Sequence, residues 1–276
     1  MNATKQLSQA SQTAAATKSG GFFDIVMYAR AYINEAKIIT PTKGPKYCAI
    51  NASILDVGAD GKAQYRTIDL IASGEQVKGV LRGLMPRWPQ DRMNHSGPRW
   101  VADINIGSIR AEAYLRKDGN IGAVLKGRLI NIRALRIAEE LIVGEEWTEN
   151  VPPPVVTASG FINLIDPEKG IVKFAAQDGK IGASETRNMT LSLAGEIPAI
   201  RELIVRGLIP RGYAHRATNP HLFANLAISG LFCEGFKGKD GKPAAALKGV
   251  LTEVRYLKAN GDIIVASKSR ETAAAA

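Results

Sequence analysis

The chain has 276 residues, 22% of them charged, and its 36 Lys and Arg against 26 Asp and Glu give a net charge of +10. No apolar run approaches the roughly 20 residues that a membrane-spanning helix needs, which argues against helical spans. Divided at Asn150, the two parts hold 20 basic against 15 acidic residues and 16 against 11. This excess in both parts favours a polyanionic partner, although solubility alone would also account for it.

Residues 1–20 predict a disordered tail. They are rich in Ser, Thr, Ala and Gln, and they lack the apolar core of a secretory signal and the arginines of a transit peptide. Further along, Cys48 and Cys233 each stand alone in an apolar run, which predicts buried free thiols and a cytoplasmic protein.

The strongest feature of the sequence is an internal repeat. Residues 74–133 and 195–255 carry the same succession: a Gly-Glu pair, an amphipathic run ending in Gly-Leu-Met/Ile-Pro-Arg, a β-rich segment, and Leu-Lys-Gly. A repeat of this length predicts two copies of one folding unit. The predicted division is a tail at 1–20, a first domain at 21–145, a Pro-rich linker at 146–155, a second domain at 156–268 and a tail at 269–276.

Alternating apolar residues predict strands in the first copy, and a spacing of three and four predicts a helix. Glycine in the closing Leu-Lys-Gly segment predicts a bend or bulge in its strand. The predicted elements, in order, are strands at 22–39 and 47–54, a hairpin turn at 59–62, a strand at 64–72, a helix from 75 to just before Pro86, a strand at 100–114, a hairpin tip at 116–120 and a return strand at 121–132.

The second copy predicts the same elements after a short acidic helix at 134–147. Its first strand contains residues 160–163, a turn follows at 178–180, and Pro198 lies in the first turn of its helix, where a missing amide donor is harmless. A hairpin tip at 238–242 and a short strand at 263–266 complete it.

Three strands, a helix and a two-stranded hairpin form the element order of the oligonucleotide/oligosaccharide-binding (OB) fold. We therefore predict a mainly β protein with two tandem OB-fold barrels, each of five strands with a helix after strand 3.

In such barrels the ligand lies across strands 2 and 3, between the loops that join strands 1 and 2 and strands 4 and 5. Exposed aromatic rings stack bases and basic groups contact phosphates, so residues of these types on outward positions are the predicted DNA contacts. Strand-pair packing is the alternative reading for each tyrosine. The candidates in the first copy are Tyr28, Arg30, Tyr32, Lys43, Lys46, Tyr47, Tyr65, Arg87, Trp88, Arg116, Lys117 and Lys126.

The second copy offers fewer candidates, because Thr190 and Ser192 occupy the outward positions of its third strand. They are Phe161, Lys173, Arg211, Tyr213 and Lys248. The sequence predicts weak nucleic-acid binding or a role in assembly for this copy.

No catalytic motif is evident. His95, His215 and His221 do not combine with a cysteine at a zinc-like spacing, and the segment 238–242 lacks the Gly-Lys-Ser/Thr ending of a phosphate-binding loop. We therefore expect a non-enzymatic protein with no metal and no cofactor.

The duplicated pattern, the Ala-Tyr-Ile-Asn segment at 31–34 and the Gly-Leu-Met-Pro-Arg segment at 83–87 resemble a poorly characterised family carried by integrative and conjugative elements and labelled as element replication proteins. In fold the chain looks like bacterial single-stranded DNA-binding proteins. Those typically end in an acidic tail with a terminal Phe, whereas this sequence ends in Arg-Glu-Thr and alanines.

These observations predict a single-stranded DNA-binding protein that acts in replication, transfer or recombination of mobile DNA. RNA remains an alternative ligand. The rival prediction is an OB-fold assembly component of a replication or conjugation complex. The expected partners are single-stranded DNA, further copies of the chain, and replication or conjugation proteins, with no membrane.

Overall fold

The computed structural model describes residues 22–57, 63–85, 98–144, 147, 153–209, 215–216 and 221–266, and most of them lie in strands. Both predicted tails and the predicted turn at 59–62 lie outside the described residues. The elements of the first half are β1 (Phe22–Phe23), β2 (Val26–Ile39), β3 (Tyr47–Val57), β4 (Ala63–Ala72), α1 (Glu75–Leu84), β5 (Trp100–Leu115), β6 (Ile121–Ile137) and β7 (Glu140–Val143). Those of the second half are β8 (Val155–Asp166), β9 (Ile171–Lys180), β10 (Glu185–Leu193), α2 (Pro198–Val205), β11 (His215–Arg216), β12 (Leu222–Lys237), β13 (Pro243–Ala259) and β14 (Asp262–Val265).

Five strands of the first half close into a barrel. Strand β2 pairs antiparallel with β3, β3 with β4, β5 with β6, and β5 with β2, while β4 pairs parallel with β6 and completes the ring. Helix α1 lies in the connection between β4 and β5. This is the pairing expected of an OB barrel, and the predicted mainly β fold class is confirmed.

The strands of the second half pair in the same way. Strand β8 pairs with β9, β9 with β10, β12 with β13, and β12 with β8, and β10 pairs parallel with β13. Helix α2 again follows the third strand of its ring. The exact domain boundaries given above remain a prediction.

Alternation in each strand builds the hydrophobic core, which contains residues of both halves. On β4, Ile68 and Leu70 are fully buried, while Tyr65, near the start of the strand, is 56% exposed. Helix α1 buries Val77, Leu81 and Leu84, as its spacing predicts. Helix α2 has Pro198 in its first turn and buries its apolar face in the same manner.

Closure of both barrels depends on a glycine in the last strand. A Cβ on Gly127 would lie 2.8 Å from Cγ2 of Ile106 and 3.2 Å from the carbonyl oxygen of Gly107. At the repeated position, a Cβ on Gly249 would lie 2.7 Å from Cγ2 of Ile228. The strand opposite is bulged at these places, between Gly107 and Arg110 in β5 and between Ser229 and Phe232 in β12. A bulge is therefore present beside each Leu-Lys-Gly segment, but it lies on the partner strand and not, as predicted, in the strand of the glycine.

Two predictions about local structure are wrong. Residues 134–147 do not begin with a helix, because β6 continues to Ile137 and turns back into β7, where Leu141 pairs with Arg136. Ala138 takes the left-handed conformation (φ 51°) that this reversal needs. The turn predicted at 178–180 lies just later, since β9 runs through Lys180 and Ala183 donates its amide to the Lys180 carbonyl.

The two halves contact each other through equivalent strands, as two copies related by a two-fold axis would. Strands β2 and β8 pair antiparallel with Met27 opposite Val156, Val26 opposite Thr157 and Tyr28 opposite Val155. Met27 and Val156 are equivalent positions, since each faces the isoleucine that also abuts the closing glycine of its own barrel. The β5–β6 hairpin packs against the β12–β13 hairpin. The contact therefore uses equivalent surfaces of both halves, as an isologous interface does.

A buried carboxylate lies at this junction. Asp178 on β9 is 8% exposed and accepts a hydrogen bond from the Ser108 hydroxyl of β5 at 3.3 Å. Burial raises the pKa of Asp178, an effect that Arg187 and the Ser108 hydroxyl partly offset.

Replacing Gly127 or Gly249 with Ala should lower the free energy of unfolding by about 1–3 kcal/mol, because the added methyl overlaps backbone and core atoms of the bulged strand. Thermal and urea unfolding of the full chain would measure this. Gly79→Ala is the matched control: Gly79 is exposed within α1 and a Cβ there meets nothing within 4 Å. That change should stabilise by about 0.5–1 kcal/mol. Equal effects at all three glycines would contradict the closure argument.

Replacing Asp178 with Asn should stabilise the protein at neutral pH. A carboxyl whose folded pKa is raised favours folding only while protonated, so its contribution is lost as pH rises from about 3.9 through the raised value. The carboxamide oxygen of the variant would still accept a hydrogen bond from Ser108. Unfolding midpoints of wild type and variant should coincide at acid pH and diverge as pH rises. The exposed Asp262→Asn should show no such divergence.

Candidate nucleic-acid interface

A groove crosses the outer face of the first barrel from β2 to the β5–β6 hairpin. It consists of two adjoining cavities of about 380 Å³ each, which share Asn51, Asp69 and Lys126. Register brings these three side chains into one row, because Asn51 pairs with Asp69 across β3 and β4, and Asp69 pairs with Lys126 across β4 and β6. We call this the first-half groove; its other polar and aromatic lining residues are Glu35, Lys37, Tyr47, Arg110, Glu112 and Tyr114.

Two exposed aromatic rings line the groove at opposite ends. Tyr47, at the start of β3, is 37% exposed, and Tyr114, near the end of β5, is 46% exposed. The Tyr114 ring covers Gly122 so closely that a Cβ on this glycine would lie 2.5 Å from Cζ. Its phenol ring therefore packs over Gly122 of β6 and stays nearly half exposed, so part of it is available for stacking on a planar ligand.

The floor of the groove carries both signs of charge. Lys126 Nζ lies 2.7 Å from a Glu112 carboxylate oxygen, and Lys37 pairs with Glu35 at 3.4 Å. Arg110 forms no ion pair with any residue that the structure describes. The second half repeats the Lys126–Glu112 pair as Lys248–Glu234.

Basic side chains on loops flank this mixed floor. Lys43 and Lys46 are exposed before β3, and Arg116 and Lys117 are exposed at the tip of the β5–β6 hairpin. The tip is the predicted turn: Arg116 donates its amide to the Asn120 carbonyl at 2.8 Å, and Gly119 takes φ 83°. Hydrogen bonds from the Asn120 amide and side chain lower the pKa of Asp118 there. The predicted loop residues therefore adjoin, along the chain, the strand ends that carry Tyr47 and Tyr114, and their contact with a ligand stays a prediction.

Tyr65 is exposed as predicted, but it lies away from the groove. It pairs with Leu55, eight residues along β3 from Tyr47, which corresponds to roughly 26 Å. Its ring contacts Tyr32 with centroids 5.8 Å apart. Tyr28 is 44% exposed and lies where β2 meets β8. The predicted tyrosines thus form no single surface.

The predicted exposure of Arg30 is wrong. Its side chain is 4% exposed and forms two hydrogen bonds to Asp103, Nε to Oδ1 at 2.7 Å and Nη2 to Oδ2 at 2.8 Å. The Trp147 ring covers the guanidinium, with its centroid 4.1 Å from Cζ. Strand alternation correctly predicts that Arg30 lies on the outer side of β2, but Trp147, which follows β7 in the chain, covers the side chain there.

Four predicted contacts, Arg87, Trp88, Arg211 and Tyr213, lie outside the described residues. In the second half Lys173 is exposed on β9, and Lys248 is partly exposed. Phe161 packs edge-on against Phe223, which also contacts Phe23 of β1. This contact assigns Phe161 to an aromatic cluster on β8 and β12.

Sequence reasoning missed several groove residues, among them Lys37, Asn51, Asp69, Arg110, Glu112 and Tyr114. It also missed Phe232 and Phe236, which are 40% and 46% exposed and occupy the repeat positions of Arg110 and Tyr114. The internal repeat could have revealed these two phenylalanines, because aligning Gly127 with Gly249 shows which residues of the two hairpins are equivalent. Phe232 lies beneath Arg66 of the first half, with its ring centroid 5.6 Å from Cζ.

Metal-binding and reactive side chains are few in the described part of the chain. No three His, Cys, Asp or Glu side chains there could hold a metal ion together. Cys48 and Cys233 are free and half-buried, and burial raises the pKa of both thiols. Within the same residues, no helix has the length and apolarity needed to cross a membrane.

Comparison with known proteins gives a partial family match. Residues 16–151 match a family described as a protein of unknown function, DUF3577, and the match ends before β8. No curated protein matches the chain. Among solved structures, it is similar to a deletion mutant of the single-stranded DNA binding protein from Thermus aquaticus, with 8% identity and a TM-score of 0.37, covering 87% of this chain and 94% of that one. A superposition at that score carries no argument about what this chain binds.

Arg30→Ala should destabilise the fold by about 2–4 kcal/mol, because it leaves the partly enclosed Asp103 carboxylate without its partner. The second half holds the neutral pair Ser159 and Asn225 at these positions, joined by a 2.8 Å hydrogen bond. Arg30→Ser with Asp103→Asn should therefore recover part of the loss. The exposed Arg116→Ala is the control and should shift the thermal midpoint little. A midpoint unchanged by Arg30→Ala would contradict a structural role for this residue.

Proposed function

We propose that the protein is a non-enzymatic single-stranded nucleic-acid-binding protein, and that the first-half groove is its main binding surface. One observation supports this above the others: exposed Tyr47 and Tyr114 line a groove at the barrel face where OB folds bind oligonucleotides. Unpaired bases can stack on these rings, whereas the bases of a duplex are already stacked on one another and paired.

Flanking charge supports a nucleic acid over an uncharged oligosaccharide. Lys43 and Lys46 on one side and Arg116 and Lys117 on the other are exposed and placed to meet a backbone that leaves the groove at either end. Release of counterions from each neutralised phosphate would supply much of the affinity. The net charge of +10 acts in the same direction at longer range.

The proposed setting is the replication, transfer or recombination of mobile DNA in the cytoplasm. Its support is the resemblance of the repeat and of segments 31–34 and 83–87 to replication proteins of integrative and conjugative elements. The two free thiols agree with a reducing compartment.

A second candidate function is assembly within a replication or conjugation complex. It is favoured by the second half, where Phe232 and Phe236 replace Arg110 and Tyr114 and make that hairpin more apolar. Exposed phenylalanines are enriched in protein interfaces. Size exclusion with and without oligonucleotide separates the two functions, because an assembly component would form multimers that are indifferent to the nucleic acid.

Tyr47→Ala and Tyr114→Ala should each weaken binding to a thymine oligonucleotide by about 1–3 kcal/mol, roughly 5- to 150-fold in Kd, through loss of one stacking platform. Fluorescence titration of the full chain against single-stranded DNA, duplex DNA and RNA provides the measurement. The Kd should rise steeply with salt, and Lys117→Gln, which removes an exposed cation beside the groove, should reduce the salt slope by about 0.7.

Ile263→Ala serves as the control, because it removes an exposed apolar side chain from β14 in the other half. It should leave the Kd unchanged. Wild-type affinity in both tyrosine variants, with the fold intact by circular dichroism, would reject the first-half groove as the binding surface.

A further inference from the structure

The middle of the first-half groove presents a hydrogen-bond acceptor where a phosphate-binding site would present a donor. Asn34 Nδ2 donates to Asn51 Oδ1 at 3.0 Å, and Asn51 Nδ2 donates to Asp69 Oδ1 at 2.8 Å. The relay crosses β2, β3 and β4 and ends at the carboxylate. Asp69 lines both cavities, and its Oδ2 accepts no hydrogen bond from any described residue.

This acceptor determines which part of a nucleotide can lie there. A phosphate beside Asp69 would place two negative charges together in a half-enclosed site. A base edge with N–H groups would instead form charge-assisted hydrogen bonds to the carboxylate. Since the exposed cations lie on the flanking loops, the bases face the groove floor and the backbone lies toward Lys43, Lys46, Arg116 and Lys117.

The four bases differ in what they offer a carboxylate. Guanine carries two parallel donors, N1–H and N2–H, on its Watson–Crick edge, and an ionised carboxylate is an acceptor with two oxygens. Adenine and cytosine offer one amino group beside a ring acceptor, and thymine offers one N–H between two carbonyls. Single strands are read in this way, on the Watson–Crick edges of unstacked bases.

We propose that Asp69 is a specificity-determining residue that accepts both Watson–Crick donors of guanine, so that the first half prefers guanine-containing single strands. This inference rests on the proposed function and adds to it the base that the groove selects. It also gives the Asn34–Asn51–Asp69 relay a role, because the two amides fix the orientation of the carboxylate.

The second half lacks this feature and so provides an internal comparison. Its registers place Lys173 at the position of Asn51 and Thr190 at the position of Asp69. A lysine and a threonine there suit a phosphate and make no distinction among bases. We therefore expect the first half to select the base and the second half to contact the phosphate backbone.

The test is fluorescence anisotropy of the full chain with strands of about 16 nucleotides, the upper site size of one barrel. Alternating thymine–guanine, thymine–inosine, thymine–adenine and thymine–cytosine strands are compared. Inosine keeps N1–H and lacks the 2-amino group. Wild type should bind the guanine strand about 10-fold tighter than the adenine strand, with the inosine strand between them.

Asp69→Asn preserves the shape of the side chain and removes its charge, so the guanine preference should disappear while binding to the adenine strand stays or improves. Asp262→Asn is the matched control, because it makes the same change at an exposed carboxylate outside the first-half groove; it should keep the preference. Equal wild-type affinities for all strands, or a preference that survives Asp69→Asn, would overturn the role of Asp69 and leave the proposed function standing. Failure of wild type to bind any strand would remove both.

Discussion

The parallel pairing of β4 with β6, and of β10 with β13, is the constraint on which the rest of the structure depends. This pair closes each ring. The same closing strand must lack a side chain at Gly127 or Gly249, where the core isoleucine of its bulged antiparallel partner, β5 or β12, comes too close for a Cβ. Closure also aligns Asp69 with Lys126 on the outer face. The groove therefore exists because the barrel closes in this register.

The same repeat that builds two barrels also joins them. Met27 and Val156 are equivalent and lie opposite each other. One antiparallel pairing, between β2 and β8, therefore gives hydrogen-bond partners to the same backbone edge in both halves. The bulges then meet the partner barrel at related places, Ser108 with Asp178 on one side and Phe232 with Arg66 on the other. The two contacts differ in chemistry: the first is a hydrogen bond to a carboxylate, and the second is a guanidinium over an aromatic ring. Burial of the Asp178 carboxylate is the source of its expected pH dependence.

The electrostatic character of the groove differs from a simple basic channel. Lys126 and Lys37 are each paired with a glutamate, and the central carboxylate receives an amide. Cations remain exposed on the loops, so charge separates into a cationic rim and a floor that accepts and donates hydrogen bonds. That separation distinguishes bases from phosphates, and it connects the proposed single-strand binding with the proposed selection of guanine.

Periodicity and the repeat predicted most strands, helices α1 and α2, the hairpin tips and the mainly β class, because burial parity and turn chemistry are local properties of a sequence. They also predicted a helix at 134–147 where the structure has the β6–β7 reversal. They also found the loop cations and Tyr47. Only the tertiary structure decided which outward residues share a surface: strand register separates Tyr65 from Tyr47, joins Asn51, Asp69 and Lys126 across three strands, and covers Arg30 with Trp147. Parity gives the side of a strand on which a residue lies, but contacts between residues far apart in sequence exist only once the barrel is closed.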